Sequence, residues 1–533
     1  MTEHPSLPLT GKSGIPAELT SQLVQLIQGL QPSVKADYLK KLFLSKYVSP
    51  LTAPADVRRN RALFKWLLTE RENEATNDRL ILTHEEYNIL PRVAYGSFVE
   101  FCRILICDII GETPPTECLI GTFSGGASTS RPRTKSHPAS KYLGKAHVTP
   151  PCLDIFSTLV EEMPGWIGAS ELEVIPIRGN VFFTVPKNAD IDRCACKEPD
   201  INMFVQKGIG TFFRRSLRSH GIDLNDQSLN RHLAYEGSVT KELVTLDLSS
   251  ASDSVSTELV FQLLPITWYT LLDAVRSQVT IIDGVEHRNH MFSSMGNGFT
   301  FELESLLFYV LSRATAFFTK TSGKISVYGD DIICPIGMSD ALVTVLSYFG
   351  FSVNLEKSCL EGAYRESCGG HYHNGLDITP FYIRKPIESL PDLIHVANQL
   401  REWALIEGIA ILDPEVESIW LWLKSHIPAV LWGGGDTAFK YQLVSHDSPT
   451  SRLVEEKVGS STEIGGFYHW LNATWDRTTS SYLTLFEDGS VHVLNVDGVS
   501  TSRKVVGKGR YRLRPVRNSA VPRLPAHFLS EVC

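Results

Sequence analysis

Between Lys324 and Ile336 the chain reads KISVYGDDIICPI, with two aspartates, Asp330 and Asp331, side by side between apolar runs. Strand interiors disfavour aspartate, and adjacent like charges repel. Ile325, Ser326, Val327 and Tyr328 alternate as a half-buried strand does, and DIICPI begins a second short extended run. Gly329 lies between them, where a tight hairpin needs a residue tolerant of positive φ. The pattern predicts a β-hairpin with both aspartates at its tip. Successive side chains of an extended backbone point to opposite faces, so the two carboxylates serve one site equally only if the turn bends them together. Asp330 is therefore taken as the primary group and Asp331 as auxiliary.

A second acidic element is LVTLDLSSASDSVSTELVFQLL. Its run Leu243 to Leu248 is strand-like, with Asp247 as the single charge. A carboxylate inside an apolar strand costs on the order of several kcal/mol unless paired or metal-bound, and both partnerships stay open here. Serines then mark a helix start with Asp253 near it, a position where carboxylates also serve simply to satisfy orphan N–H groups. Three carboxylates on two strands suit a hard divalent cation. Mg²⁺ takes one or two protein carboxylates and completes its shell with water and phosphate oxygens. Two such ions, with Mn²⁺ or Ca²⁺ as substitutes, clamp the attacking and leaving oxygens of a phosphoryl transfer. A cation as partner explains why the adjacent pair is tolerated.

The rest of the chain frames this centre. At 533 residues it has room for two to four domains or one large multi-lobed body, and 43% hydrophobic with 21% charged residues is the composition of a folded protein. MTEHPSLPLTGKSGIPAEL has no basic region followed by a long apolar core, so no secretory signal is expected. FVEFCRILICDIIGE is broken by Glu100, Arg103 and Asp108, and reads as a buried helix and not a membrane span. The ten scattered cysteines suit reduced thiols in a cytoplasm. A net charge of −8 argues against a coating affinity for nucleic acid, but charge distribution matters more than the sum. Arg131, Arg133, Lys135, Lys141 and Lys145 lie in a stretch without acids, Arg214, Arg215 and Arg218 form a second cluster, and RKVVGKGRYRLRPVR a third. Local basic grooves and solvated faces are both open readings of them. Residues 1 to about 110 are expected to be mostly helical, GTFSGGASTSRPRTKSHPAS a long mobile loop, and the centre an alternation of short strands and helices. DLIHVANQLREWALIEGIA and VESIWLWLKSHI are expected as helices, and SSYLTLFEDGSVHVLNVDG as a hairpin with an Asp-Gly turn.

Six segments in order, TVPKNADIDRCACKEPDINM, GIDLNDQSLNRHLAYEGSV, DLSSASDS, SSMGNGFTFELES, VYGDDIICP and YRESCGGHYHNGLDITPFYIRKP, resemble the replicase catalytic subunit of the small positive-strand RNA bacteriophages, the leviviruses. The resemblance covers about Val181 to Lys385 and is looser in the flanks. It implies an α+β, right-hand polymerase fold: an N-terminal region and fingers over 1–240, a palm of antiparallel sheet and helices over 241–385, part of 255–300 belonging with the fingers, and a thumb and C-terminal region over 386–533. It implies an RNA-dependent RNA polymerase that joins NTPs with release of pyrophosphate, from a primer or primer-independently.

By motif, Asp247, Asp330 and Asp331 are implied as the Mg²⁺ ligands, and Ser294, Gly296 and Asn297 as contacts to template and nucleotide. Asp253 and Asn297 are implied to read the ribose 2′-OH, although many polymerases place that aspartate one residue nearer the first, where Ser252 stands here. Lys187, Arg193 and Lys197 are implied to hold the triphosphate. Lys357, in YFGFSVNLEKS, is implied as a general acid for pyrophosphate, an exposed lysine being the alternative. Cys359, Cys368, His371 and His373 offer soft zinc ligands, but at a spacing unlike a finger, and alternation around Asn374-Gly375 favours a hairpin. Cys194 and Cys196 read as structural. A reverse transcriptase and a non-catalytic RNA-binding protein on a palm scaffold are the rival readings. The resemblance also implies template and product RNA, host elongation factors Tu and Ts and a ribosomal small-subunit protein as partners, in the cytoplasm of a bacterial host with no membrane.

Overall fold

Periodicity in the N-terminal sequence becomes four helices: α1 (Leu19–Gln28), α2 (Val34–Leu42), α3 (Ala55–Leu82) and α4 (Tyr95–Ile110). The computed structural model describes residues 15–16, 18–48, 53–163, 172–354, 357–406, 409–438 and 440–447, and beyond them strands between 451 and 517. In α4 the stripe Phe98, Cys102, Ile106 and Ile109 is buried, as expected of this segment. Among the described residues no helix is long and apolar enough to cross a membrane.

The strands follow in short runs: β1 (Asn88–Leu90), β2 (Val93–Ala94), β3 (Gly144–Val148), β4 (Leu172–Pro176), β5 (Asn180–Pro186), β6 (Asp192–Lys197), β7 (Leu243–Leu246), β8 (Leu248–Ser249), β9 (Val279–Ile282), β10 (Val285–Arg288), β11 (Ser326–Tyr328), β12 (Asp331–Pro335), β13 (Ser352–Val353), β14 (Tyr364–Ser367), β15 (Gly370–His373) and β16 (Leu376–Asp377). One sheet has the order β10-β9-β5-β6, and another, all antiparallel, the order β11-β12-β7. Helices alternate with these strands, among them Asp200–Ser219 and Thr300–Thr319. The architecture is α+β, the class expected of a right-hand polymerase fold.

Two apolar cores hold it together. The larger runs from α4 through the helices Asp200–Ser219 and Thr300–Thr319 to Phe351. The second joins Leu23, Leu39 and Phe43 of the N-terminal segment to Leu393, Leu400 and Trp420 of the helices Leu390–Ala404 and Pro414–Ser425. The first two helices therefore pack with the C-terminal ones and not with the sheet that follows them in sequence.

Several local expectations are corrected. The Gly/Ser/Pro-rich stretch is a loop, but a packed one: Phe123, Ser128, Ser136, Lys141 and Tyr142 are buried. Lys141 donates from Nζ to the carbonyls of Ser124 and Gly126 at 2.8 and 2.7 Å, so one of the supposed surface cations is an internal tie. The second basic cluster is occupied too, with Arg214 on Glu302, Arg215 on Glu117 and Arg218 on Asp223. The helix from Leu390 stops at Ala404, and LIEGIA continues into two short paired strands. In the tail, Ser481–Leu485 pairs antiparallel with Ser490–Asn495 as expected, while its Asp-Gly turn lies outside the described residues.

α3 follows the pattern that suggested it only in part: Ala62, Trp66 and Leu80 are buried, but polar residues share that face. Phe64 is 72% exposed and Leu68 46%, whereas Arg58, Thr69, Glu70, Asn73 and Thr76 are buried. Its 28 residues make a rod about 42 Å long. One end reaches β6, where Arg58 Nε meets Asp192 at 3.0 Å with both side chains buried. The other reaches the main-chain carbonyl of Tyr348, held by Arg79 Nε at 3.1 Å and an Nη at 2.8 Å.

Candidate active site

The hairpin of β11 and β12 pairs Tyr328 with Asp331, leaving Gly329 and Asp330 as a two-residue turn. Gly329 has φ of 60°, the positive value a tight hairpin requires at that position. A Cβ there would strike the Phe301 ring, and the Gly329 N–H donates to Ser305 Oγ at 3.0 Å. The helix Thr300–Thr319 thus fixes the tip. Asp330 is reached by solvent, yet protein crowds the cleft around it, and that desolvation with the charge of Asp247 pushes its carboxyl upward. Asp331 is deeper, accepts from the Cys368 N–H at 3.2 Å, and is pushed up to about 7 by burial and by Asp330.

Asp247 sits in the break between β7 and β8. The ladder of β12 and β7 ends with Ile332 opposite Leu246, so its next step sets Asp331 and Asp247 at facing positions. The turn after β13 cradles Asp247. Its N–H donates to Ser358 Oγ at 3.0 Å, while Oδ2 accepts from Asn354 Nδ2 at 3.1 Å and faces Lys357 Nζ at 3.4 Å. Lys357 is 58% exposed, so both readings of it, exposed lysine and active-site cation, describe what is seen.

The basic motif stands near these acids. β5 and β6 pair Val185 with Arg193 and Val181 with Lys197, and Arg193 and Lys197 lie four residues apart on one face of β6. Lys187, in the connecting loop, has its ammonium pushed downward by desolvation and by Arg193, Lys65 and Lys357, while Asp247 opposes the shift. Among the described residues neither Lys187 nor Arg193 forms an ion pair, and Lys197 Nζ lies 5.5 Å from the centre of the Phe183 ring. Unpaired, mutually repelling cations beside under-neutralised carboxylates make a cleft with an unmet need for both a cation and a polyanion.

The Gly-rich loop closes on the same sheet. Cys196 N–H donates to Met295 O at 2.8 Å, and Gly296, with φ of 119°, lies so close to Cys196 O that a Cβ would collide with it. Ser294 is buried and its Oγ accepts from Asn180 Nδ2 at 3.2 Å. Asn297 Oδ1 accepts from Phe299 N at 2.9 Å in the turn before the following helix, and its Nδ2 is buried without a partner. Asp253 has a matching orphan: Oδ1 is buried and unpartnered, and burial with the charge of Glu70 pushes the carboxyl up to about 7. The expected cap at the helix start is made by Ser256 instead, which accepts from Leu259 N. A free acceptor or hydroxyl on Asp253 and a free donor on Asn297 fit a sugar hydroxyl.

Sequence reasoning missed Glu304. It is buried one helical turn from Phe301, receives Ser252 Oγ at 2.6 Å, and is pushed up to about 8 by burial, with Asp330 and Asp253 adding to the shift. The signal was present in ELESLLFYVL, where two acids, Glu302 and Glu304, open a long apolar run. Glu70 and Asn73 of α3 were missed too, because the helix was read for its apolar residues.

Whether a metal suits the cleft can be judged from its charge. Burial raises Asp330, Asp331 and Glu304 alike, Asp247 adds to the shift at Asp330, and Asp330 adds to those at Asp331 and Glu304, which marks a centre short of positive charge. Among the described residues no three His, Cys, Asp or Glu side chains stand close enough to hold one ion as they are. The carboxylates are gathered into one cleft without forming a closed cage. An ion held by one or two of them and otherwise by water and phosphate fits that arrangement. The soft-ligand alternative has other uses: His371 Nδ1 is shared by the hydroxyls of Tyr38 and Tyr364 at 2.8 and 2.9 Å, Cys359 Sγ donates to Lys357 O at 3.4 Å, and Cys368 Sγ accepts from Ser367 Oγ at 3.9 Å. β15 and β16 form the hairpin expected around Asn374-Gly375. Cys196 is buried in a small cluster with Trp66 and Phe182, the structural part read for it.

An acidic hairpin beside unpaired cations, on an α+β scaffold, makes a cleft whose charges suit a metal ion and phosphate groups. The chain belongs to the RNA replicase, beta-chain family, whose profile matches residues 13–479. It is 44% identical to the RNA-directed RNA polymerase beta chain of Escherichia phage MS2 over 354 residues, 65% of each chain, so the match spans just under two thirds of that relative. It is 37% identical to the beta chain of Enterobacteria phage GA, covering 82% of this chain and 84% of that one, and 40% identical to the beta subunit of Escherichia virus Qbeta, covering 76% and 68%. Among solved structures it is similar to the RNA-dependent RNA polymerase of a human picorbirnavirus, with a TM-score of 0.35 and 11% identity over 77% of this chain and 91% of that one.

Proposed function

We propose that this chain is the RNA-directed RNA polymerase of an RNA bacteriophage. The observation that carries the reading is the conjunction in one cleft of Asp247 and Asp330, the unpaired cations Lys187 and Arg193, and the orphaned polar atoms of Asp253 and Asn297. In this reading β5 and β6 belong to the fingers, the β11-β12-β7 sheet to the palm, and the C-terminal helices to the thumb.

Asp247 and Asp330 would hold Mg²⁺, with Asp331, one oxygen of which is engaged by Cys368, as auxiliary. Bound ions supply Lewis-acid stabilisation of the attacking and leaving oxygens. Lys187, Arg193 and Lys197 bind the triphosphate and orient its α-phosphorus. Asp253 and Asn297 bind the ribose hydroxyl, and Ser294 and Gly296 shape the surface on which template and nucleotide lie. A 3′-hydroxyl oxygen, or the first nucleotide's own in primer-independent initiation, forms the new bond to the α-phosphorus. The bond to the bridging oxygen breaks, the hydroxyl proton leaves to solvent, and Lys357 Nζ gives a proton to departing pyrophosphate. Host elongation factors Tu and Ts, a ribosomal small-subunit protein and the bacterial cytoplasm belong to the same proposal.

The test is NTP incorporation on single-stranded RNA by the purified chain with Mg²⁺ and those host factors. Asp330→Asn is expected to lower incorporation by at least about a thousandfold while RNA binding persists. Near-normal incorporation by that variant overturns the assignment.

A further inference from the structure

A helix that buries polar residues while exposing Phe64 and Leu68 needs a reason, since buried polar groups stabilise nothing unless each finds a partner. On α3 the partners are the backbone of the site. Asn73 Nδ2 donates to the main-chain oxygen of Asp253 at 2.7 Å. Glu70 accepts from the N–H groups of His290 and Met291, both at 2.8 Å, and meets His287 Nε2 at 2.8 Å. Each of the two side chains is only 2% exposed. The two anchored segments are also joined directly, Phe292 N–H donating to Val255 O at 2.7 Å. The second segment runs on through Met295, whose N–H lies on the Asp253 carboxyl, to Asn297.

From this geometry we propose, resting on the polymerase reading, that Glu70 and Asn73 are specificity-determining positioning residues: α3 clamps the Asp253 turn against the segment leading to Asn297, and so sets the spacing that reads a ribose. Apolar side chains on the same face would bury α3 equally well but would leave those backbone groups free to shift. Asn77 provides an internal comparison. It donates to His290 O at 3.1 Å and accepts from Glu258 N at 2.8 Å, tying the same elements together without touching Asp253.

The experiment measures kcat/KM for an NTP and for its 2′-deoxy counterpart on an RNA template, using the full chain with its host factors. Asn73→Ala and the isosteric Glu70→Gln are expected to lower the NTP-to-dNTP ratio about three- to tenfold, mainly through KM for the NTP. Asn77→Ala is expected to lower the thermal midpoint and leave the ratio unchanged. An unchanged ratio in both Asn73→Ala and Glu70→Gln overturns the clamp while leaving the polymerase reading intact. So does an equal fall in Asn77→Ala, which would mark the effect as general loosening. A wild-type chain that incorporates no nucleotide overturns the reading beneath it.

Discussion

Replacing Asp253 with asparagine is expected to stabilise the fold, and to do so more as pH rises. The carboxyl is lifted from 3.8 to about 7 by burial and by Glu70, against the opposing pull of Lys65 and Lys187. The folded chain therefore holds this proton more tightly than the unfolded chain, and stability falls as pH climbs from about 4 to about 7. Above pH 7 the full linkage applies, roughly 4 kcal/mol from a difference of some three units at 1.36 kcal/mol each. At pH 5 only about 1.5 kcal/mol of it is present, and near pH 4 almost none. Asparagine keeps the shape and cannot ionise, so its advantage over aspartate should track that curve. Thermal midpoints of both chains at pH 5 and pH 8 check it: the gain at pH 8 should exceed that at pH 5 by about 2–3 kcal/mol. An equal gain at both values, or a loss at pH 8, refutes the assignment of a strained, half-protonated carboxyl. On the polymerase reading proposed above, the same variant should also lose discrimination between NTP and dNTP.

Gly329→Ala should destabilise by about 2–4 kcal/mol in chemical denaturation, since alanine is disfavoured at φ of 60° and its methyl would enter the Phe301 ring. Arg58→Ala strips the buried Asp192 of its charged partner, leaving only the Thr184 hydroxyl, and should cost about 3–5 kcal/mol, most of it recovered when Asp192→Asn is added, as a double-mutant cycle would show.

How much of this was legible beforehand depended on whether a residue's task was local. The tip of the β11–β12 hairpin was readable because a glycine between two alternating runs dictates a turn by backbone sterics alone, and the observed pairing of Tyr328 with Asp331 follows. The hairpin at Asn374-Gly375 was readable for the same reason. The family motifs pointed to the other residues that the fold brings into the cleft. The loop from 121 to 140 was misjudged because glycine and serine report conformational freedom in an unfolded chain. They say nothing of a distant lysine: Lys141 Nζ gathers two of the loop's carbonyls and removes that freedom.

α3 shows the deeper limit. Its apolar residues recur at helical spacing, and periodicity assigns them inward, because in most helices the inner partner is an apolar core. Here the inner partners include the backbone of two loops, so Glu70 and Asn73 turn in beside Trp66 while Phe64 turns out. No window along α3 contains that information, since Asp253 and Met291 are far away in sequence. For Glu304 the sequence showed an acid at the start of an apolar run, but not its partner, since Ser252 lies in another motif. Residues that touch the reacting groups come from short motifs and can be read from them. Residues that hold those motifs in place, as Glu70 and Asn73 hold the backbone of Asp253, His290 and Met291, are found only once the chain has folded.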